Sequence, residues 1–296
     1  MTGTEPRQPA QPGAGGKVAI VAGSGRLPVN VAERLAETGR RPFVVMLEGE
    51  ADPNSSLASF ENEELPLERF AELAGLLKRR GVTHVVLAGG ISRRPRWREI
   101  RPSFALLSVL TKALLALARG DDGLLKTLVR GLEARGFKVM GAHEIVPDLV
   151  ATEGSMTRAA PSRRDMPDLK AALEAARAIG ALDIGQGAVS IGGRVVAVEG
   201  IEGTDGLLAR VKDLRGHGRI AGKKRGVLVK CAKPGQELRA DLPTIGPATV
   251  LAAHAAGLAG IGVEAGHSLI LDFGDMVERA DALGLFVVGL PAGEAA

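Results

Sequence analysis

The chain has 296 residues, 45% hydrophobic and 24% charged, with a formal net charge of +4. Such a length suits two domains of roughly 130–150 residues each, and the composition excludes a disordered or fibrous protein. Seven Phe, one Trp and no Tyr supply few platforms for base stacking, which argues against a nucleic-acid binder, while the mild positive charge favours anionic ligands in general.

Residues 1–16, rich in Pro, Gly and Ala, read as a disordered tail with neither a signal peptide nor a membrane anchor. From Lys17 onward, short β-branched runs alternate with helical ones. Val18–Ala22 (VAIVA) is the first expected strand, followed by the turn Gly23-Ser24-Gly25 and a helix near Pro28–Glu37. Phe43–Leu47 (FVVML) is a second strand, and Val85–Gly89 (VVLAG) a third, reached through a helix near Leu67–Arg80. Helices near Ser103–Ala118 and Asp121–Arg135 precede a strand at Lys138–Ala142. This alternation predicts a Rossmann-like α/β domain over 17–146. The most apolar helical stretch, Phe104–Gly120, contains Lys112 and is shorter than the ~20 residues that span a bilayer.

Periodicity breaks between Pro147 and Pro167, where an interdomain connection (147–167) is expected. A second, distinct α/β domain over 168–296 opens with a helix near Asp168–Ile179. The run AVSIGGRVVAVEG follows, whose Gly192-Gly193 pair is a strong hairpin signal. Next come a helix after Thr204-Asp205, the strand GVLVK, a helix near Ala248–Ala256, strands GIGVE and SLILD, a helix near Gly274–Leu283 and the strand FVVGL.

The stretch from Gly226 to Val250 carries the clearest chemistry. Asp241 is a lone carboxylate among Lys230, Lys233 and Arg239, followed by Pro243, Thr244, Ile245, Gly246 and Pro247. Pro fixes φ and Gly permits φ > 0, so this run predicts a rigid backbone path. An acid held rigidly beside cations suits metal-assisted chemistry on a phosphate. Gly23, Ser24 and Gly25 follow a strand and open a helix, a place where backbone N–H groups receive phosphate, although a purely structural turn reads the same way. Pro28 replaces the third glycine of a dinucleotide motif, so NAD binding is not expected. Gly90 and Arg94 stand after the third strand in a run with five arginines, which reads either as an anion contact or as a solvated charge run. Thr204 and Asp205 read as helix caps or as ligand contacts, Asp205 offering an oxygen ligand for Mg²⁺. His143 lacks the partners of a zinc site and reads as structural. The lone Cys231 excludes an internal disulfide and fits a reducing, cytoplasmic compartment.

From these residues alone three classes stay open: a phosphate-directed hydrolase, a non-catalytic nucleotide- or anion-binding regulatory protein, and a basic RNA- or membrane-surface protein. The segments LVKCAKPGQELRADLPTIGPATV (Leu228–Val250), EGTDGLLARVKDLR (Glu202–Arg215), GLAGIGVEAGHSLILD (Gly257–Asp272), AGSGRLPV (Ala22–Val29) and GFKVMGAHE favour the first. Together they resemble the LpxI-type UDP-2,3-diacylglucosamine pyrophosphatases of Gram-negative lipid A biosynthesis, in the same order from about Lys17 to Leu290. The resemblance implies a cytoplasmic, homodimeric enzyme, at most peripheral to the membrane. It further implies Mg²⁺-dependent hydrolysis of UDP-2,3-diacylglucosamine to UMP and 2,3-diacylglucosamine 1-phosphate (lipid X). The family's essential aspartate, in its DLPTIG motif, lands on Asp241. Substrate contacts are expected at Gly23, Ser24, Gly25, Gly90, Arg94, Thr204, Asp205, Lys230, Lys233, Thr244 and Gly246, and metal ligation at Asp241 and Asp205.

Overall fold

The computed structural model describes residues 16–91, 121–218, 220, 222–234, 236–239 and 241–292. The expected tail before Gly16, the helix expected near Ser103–Ala118 and the arginines after Ile91 lie outside these residues. The chain divides into two units: one of residues up to Asp148 together with Glu237–Asp241, the other of Leu149–Gln236 and Leu242–Ala296.

The first unit is built on β1 (Lys17–Ala22), β2 (Phe43–Leu47), β3 (Glu61–Leu65), β4 (Val82–Ala88) and β5 (Lys138–Met140). All pair in parallel in the order β3-β2-β1-β4-β5. This is the Rossmann-like order, in which the chain reverses direction across the sheet between β1 and β4. Strand β2 is buried along its whole length, as a parallel strand covered on both faces must be. Alternate residues Ala19, Val21, Phe43, Val45, Val85 and Leu87 form one face with Leu73, Leu76 and Leu77 of α2 (Leu73–Arg79) and Val129 and Leu132 of α3 (Asp121–Glu133). Helix α1 (Leu27–Glu37) begins with Pro at its start, where no amide partner is needed.

Strand β3 is a finding that the sequence did not announce, because four of its five residues are Glu or Asn. It survives as a sheet edge through cross-strand charge. Lys17 Nζ lies 2.8 Å from Glu61, and Arg80 reaches Glu63 at 2.9 Å. Such charges also blunt the edge against pairing with other chains. The helix expected over Leu67–Arg80 is a 3₁₀ segment, Leu67–Glu72, that tightens into α2. The strand expected at Lys138–Ala142 stops at Met140, since Gly141 starts the short helix α4 (Ala142–Ile145) and its N–H donates to Glu144.

The second unit has β6 (Gly154–Ser155), α5 (Met166–Ala181), β7 (Gly187–Ser190), β8 (Val195–Val198), α6 (Gly203–Leu214) and β9 (Val227–Lys230). It continues with β10 (Thr244–Ile245), α7 (Pro247–Ala255), β11 (Gly260–Glu264), β12 (Leu269–Ile270), α8 (Phe273–Leu283) and β13 (Phe286–Leu290). A mixed six-stranded sheet runs β6-β13-β11-β9-β7-β8, and β10 pairs with β12 in a small second sheet. The segment 147–167 supplies the edge strand β6, antiparallel to β13. The hairpin β7–β8 turns at Gly192 (φ 65°) and Gly193 (φ 77°), the doubly left-handed conformation that a tight hairpin requires. Its turn is pinned from below, since buried Asp168 accepts from Ser190 Oγ and Gly193 N, both at 2.7 Å.

The two faces of this sheet bury different helices. Val189, Ala197, Leu228 and Ile261 pack with Leu207, Leu208 and Val211 of α6 and with α7 and α8. On the other face, Ala188, Val227, Val229 and Cys231 pack with Leu169, Ala172 and Ala176 of α5.

Candidate functional site

In the first unit the turn after β1 meets the turn after β4. Gly23 N donates to Ala88 O at 2.8 Å, and Ser24 and Gly90 exchange backbone hydrogen bonds of 2.8 and 3.1 Å. Ser24 Oγ also donates to Gly90 O at 3.0 Å. The approach depends on missing side chains, because a Cβ on Gly23 would lie 2.2 Å from Gly90 O. Gly25 has φ 89° with open space where a Cβ would stand, so it serves the turn and not the packing. Four expected contacts, Gly23, Ser24, Gly25 and Gly90, are thus assembled at the carboxyl ends of β1 and β4. Open α/β sheets bind ligands at this point of reversal. Arg94 lies outside the described residues.

Asp241 is half-buried, and its N–H donates to Glu237 O at 3.0 Å. Within the first unit the adjoining turn is held by Arg239, whose guanidinium forks onto Glu237 at 2.8 and 3.0 Å and also pairs with Glu133. Hydrogen bonding to Glu237 holds Arg239 firmly charged. The sequence places Arg239 beside Asp241 as a phosphate-directed cation, and the structure commits it to carboxylates.

In the second unit, expected contacts gather at the carboxyl ends of β8 and β9. Buried Lys230 donates from Nζ to Thr244 O at 2.9 Å and so ties β10 to β9. Thr244 Oγ1 donates to Leu242 O at 3.0 Å. Thr204, in the first turn of α6, donates to Glu199 Oε1 at 3.2 Å and does not cap the helix. Asp205 is exposed in the same turn, where a helix dipole favours a negative charge. Lys233 Nζ pairs with Asp183 at 2.8 Å, and Asp183 holds the left-handed φ of 55° that Asp tolerates. Gly246 precedes α7 in extended backbone, its N–H donating to Thr249 Oγ1 at 3.3 Å.

Sequence reasoning passed over two buried polar groups at this end of the sheet, Gln236 and Glu264, and saw in buried Glu199 only an acid that ends a strand. Gln236 accepts from Lys233 N at 2.9 Å, and Glu264 from Ala232 N at 3.2 Å. The signal for Glu199 and Glu264 was a polar residue closing an apolar strand, as in VVAVE and GIGVE. Cys231 is inert by environment, as burial, followed by the charge of Glu264, pushes its thiol up to about 12.

No group of three or more His, Cys, Asp or Glu among the described residues is arranged to hold a metal. Mg²⁺ often takes only one or two carboxylates and completes its shell with waters and substrate phosphates. Asp241 and Asp205 are oxygen donors of that type, and either fits an ion shared with a phosphate. No described helix is long and apolar enough to cross a membrane.

Comparison with known proteins adds a second line. The LpxI N-terminal domain model matches residues 17–149, and the LpxI C-terminal domain model matches residues 152–288. A curated relative, the UDP-2,3-diacylglucosamine pyrophosphatase LpxI of Caulobacter vibrioides, is 42% identical over 275 residues, which cover 93% of this chain and 97% of that protein.

Proposed function

The chain belongs to the LpxI family, a family of hydrolases, and we propose that it cleaves the pyrophosphate bond of UDP-2,3-diacylglucosamine into UMP and 2,3-diacylglucosamine 1-phosphate, lipid X, in lipid A biosynthesis. The observation that carries this reading is the match of both domain models, in order, over nearly all of the chain, beside a relative that bears that activity in its name.

Asp241 is the proposed catalytic carboxylate, which either ligates the metal or orients the attacking water, metal ligation being the preferred role. Mg²⁺, for which Asp241 and Asp205 are each by itself a candidate ligand, supplies charge neutralisation on the diphosphate when bound. Lys230 acts by fixing Thr244 and the backbone that follows Asp241. Lys233, placed by its ion pair with Asp183, is a candidate cation for a phosphate oxygen. The turns closed by the Gly23 and Gly90 amides, which bond to Ala88 O and Ser24 O, present the Gly25 backbone to the nucleotide phosphate or sugar. Water attack on the sugar-side phosphorus is the preferred course. A cytoplasmic homodimer that touches the membrane at most peripherally completes the proposal.

UMP release from UDP-2,3-diacylglucosamine, followed with and without EDTA, tests it. Turnover that stops with EDTA and returns with Mg²⁺ is expected. Turnover indifferent to EDTA would remove the metal, and tight UMP binding without hydrolysis would favour a nucleotide-binding regulatory protein instead.

A further inference from the structure

Backbone pairing sets three residues in a row across the second unit's sheet. Gly187 stands opposite Lys230 of β9, and Glu199 N donates to Gly187 O at 2.7 Å in continuation of the β7–β8 ladder. Residues directly opposite in antiparallel pairs point to one face, so the Glu199 and Lys230 side chains share a face, their backbones roughly 10 Å apart. The glycine between them leaves a notch. A Cβ on Gly187 would lie 2.6 Å from Glu199 Oε2, so only glycine leaves that oxygen its position.

Glu199 is 6% exposed. Its Oε1 is taken by Thr204 Oγ1, while Oε2 is buried and has no hydrogen-bond partner among the described residues. A buried carboxylate oxygen without a donor costs free energy in the absence of a ligand. The Lys230 ammonium donates to Thr244 O, and the N-terminus of α6, a helix of 12 residues, supplies a favourable dipole a few residues after Glu199. What Oε2 lacks is a directional donor.

We propose that Glu199 is a ligand-binding acceptor of this enzyme, its Oε2 receiving an O–H or N–H donor from one half of the UDP-sugar substrate beside the Gly187 notch. Hydroxyl and amide donors occur on both the nucleotide and the acylated sugar. The proposal rests on the pyrophosphatase reading above. Its test separates both questions.

Wild type, Glu199→Ala, Glu199→Gln and Gly187→Ala are compared by calorimetric titration with UMP and with 2,3-diacylglucosamine 1-phosphate, and by KM and kcat. In Glu199→Ala the Kd for one of the two products is expected to rise tenfold or more while the other stays within twofold, and KM to rise more than kcat falls. The product that weakens identifies the half bound. Glu199→Gln, which keeps an acceptor oxygen, should recover most of the loss. Gly187→Ala, whose methyl displaces Oε2, should reproduce it, and carries the test if Glu199→Ala does not fold. Unchanged Kd for both products with a lowered Tm would make Glu199 structural and overturn the proposal. Selective loss of Mn²⁺ binding, read by electron paramagnetic resonance, would overturn it in favour of a cation site. Failure of the wild type to hydrolyse the substrate would refute the pyrophosphatase reading and not Glu199's role as an acceptor, which the UMP and glycolipid titrations judge on their own.

Discussion

Gly23 and Gly25 look alike in sequence and do different work. Gly23 is needed for space, because a methyl there would meet a backbone carbonyl at 2.2 Å. Gly25 is needed only for its φ of 89°. Gly23→Ala should therefore cost about 3 kcal/mol through forced backbone movement, and Gly25→Ala about 1 kcal/mol through left-handed strain alone. Urea denaturation of the two variants measures the difference, and equal losses would contradict the packing account. Cys231 should resist a thiol reagent in the folded protein at pH 8 and react once unfolded, given burial and a thiol pushed up to about 12. Prompt labelling of native protein would mean that this face of the sheet opens readily. The glycines of the turns were legible in sequence because their chemistry is local. Glu199 was legible only as an acid ending a strand, since its weight comes from Gly187 and Lys230, neighbours only through strand register. Arg239 and Lys233 were visible as cations, but their carboxylate partners Glu133 and Asp183 lie 106 and 50 residues away.

Helices and buried strands could be read from the sequence because period and β-branching mark them. Strand β3 could not, as an acidic edge strand has no apolar alternation and depends on Lys17 and Arg80. Strand β6, two residues long, owes its existence to β13. Just before α5, Asp165 is 1% exposed and accepts from both Ser162 N and Oγ, at 2.8 and 2.6 Å, and from a fork of Arg225 at 2.8 and 2.9 Å. Burial is the largest influence and opposes its ionisation, yet the bonds from Arg225 and Ser162 together outweigh it and hold the carboxyl below its ordinary value. A lowered folded value stabilises the protein above the unfolded value, about 3.9, and that contribution is lost as pH falls through the folded one. Asp165→Ala should cost about 3 kcal/mol at pH 7, and the gap from wild type should narrow below about pH 4. Thermal unfolding across pH 3–7 checks this, and a gap independent of pH would assign the loss to packing.

At the scale of the whole molecule, each unit has its own sheet and its own buried core, and the residues Glu237–Asp241 belong with the first unit although their sequence neighbours belong with the second. Length and the alternation of strands with helices suggested two α/β domains, but no local signal marks a short excursion of this kind, because it is defined by contacts such as Arg239 with Glu133. Asp241 is half-buried and makes no large contribution to either core, so its removal should change stability by no more than about 1 kcal/mol. The most direct test is UMP release from UDP-2,3-diacylglucosamine by purified wild type and Asp241→Ala, at matched folding and saturating Mg²⁺. A fall in turnover of at least about 100-fold, some 2.7 kcal/mol of barrier, is expected. Asp241→Ala turning over at the wild-type rate would contradict the account.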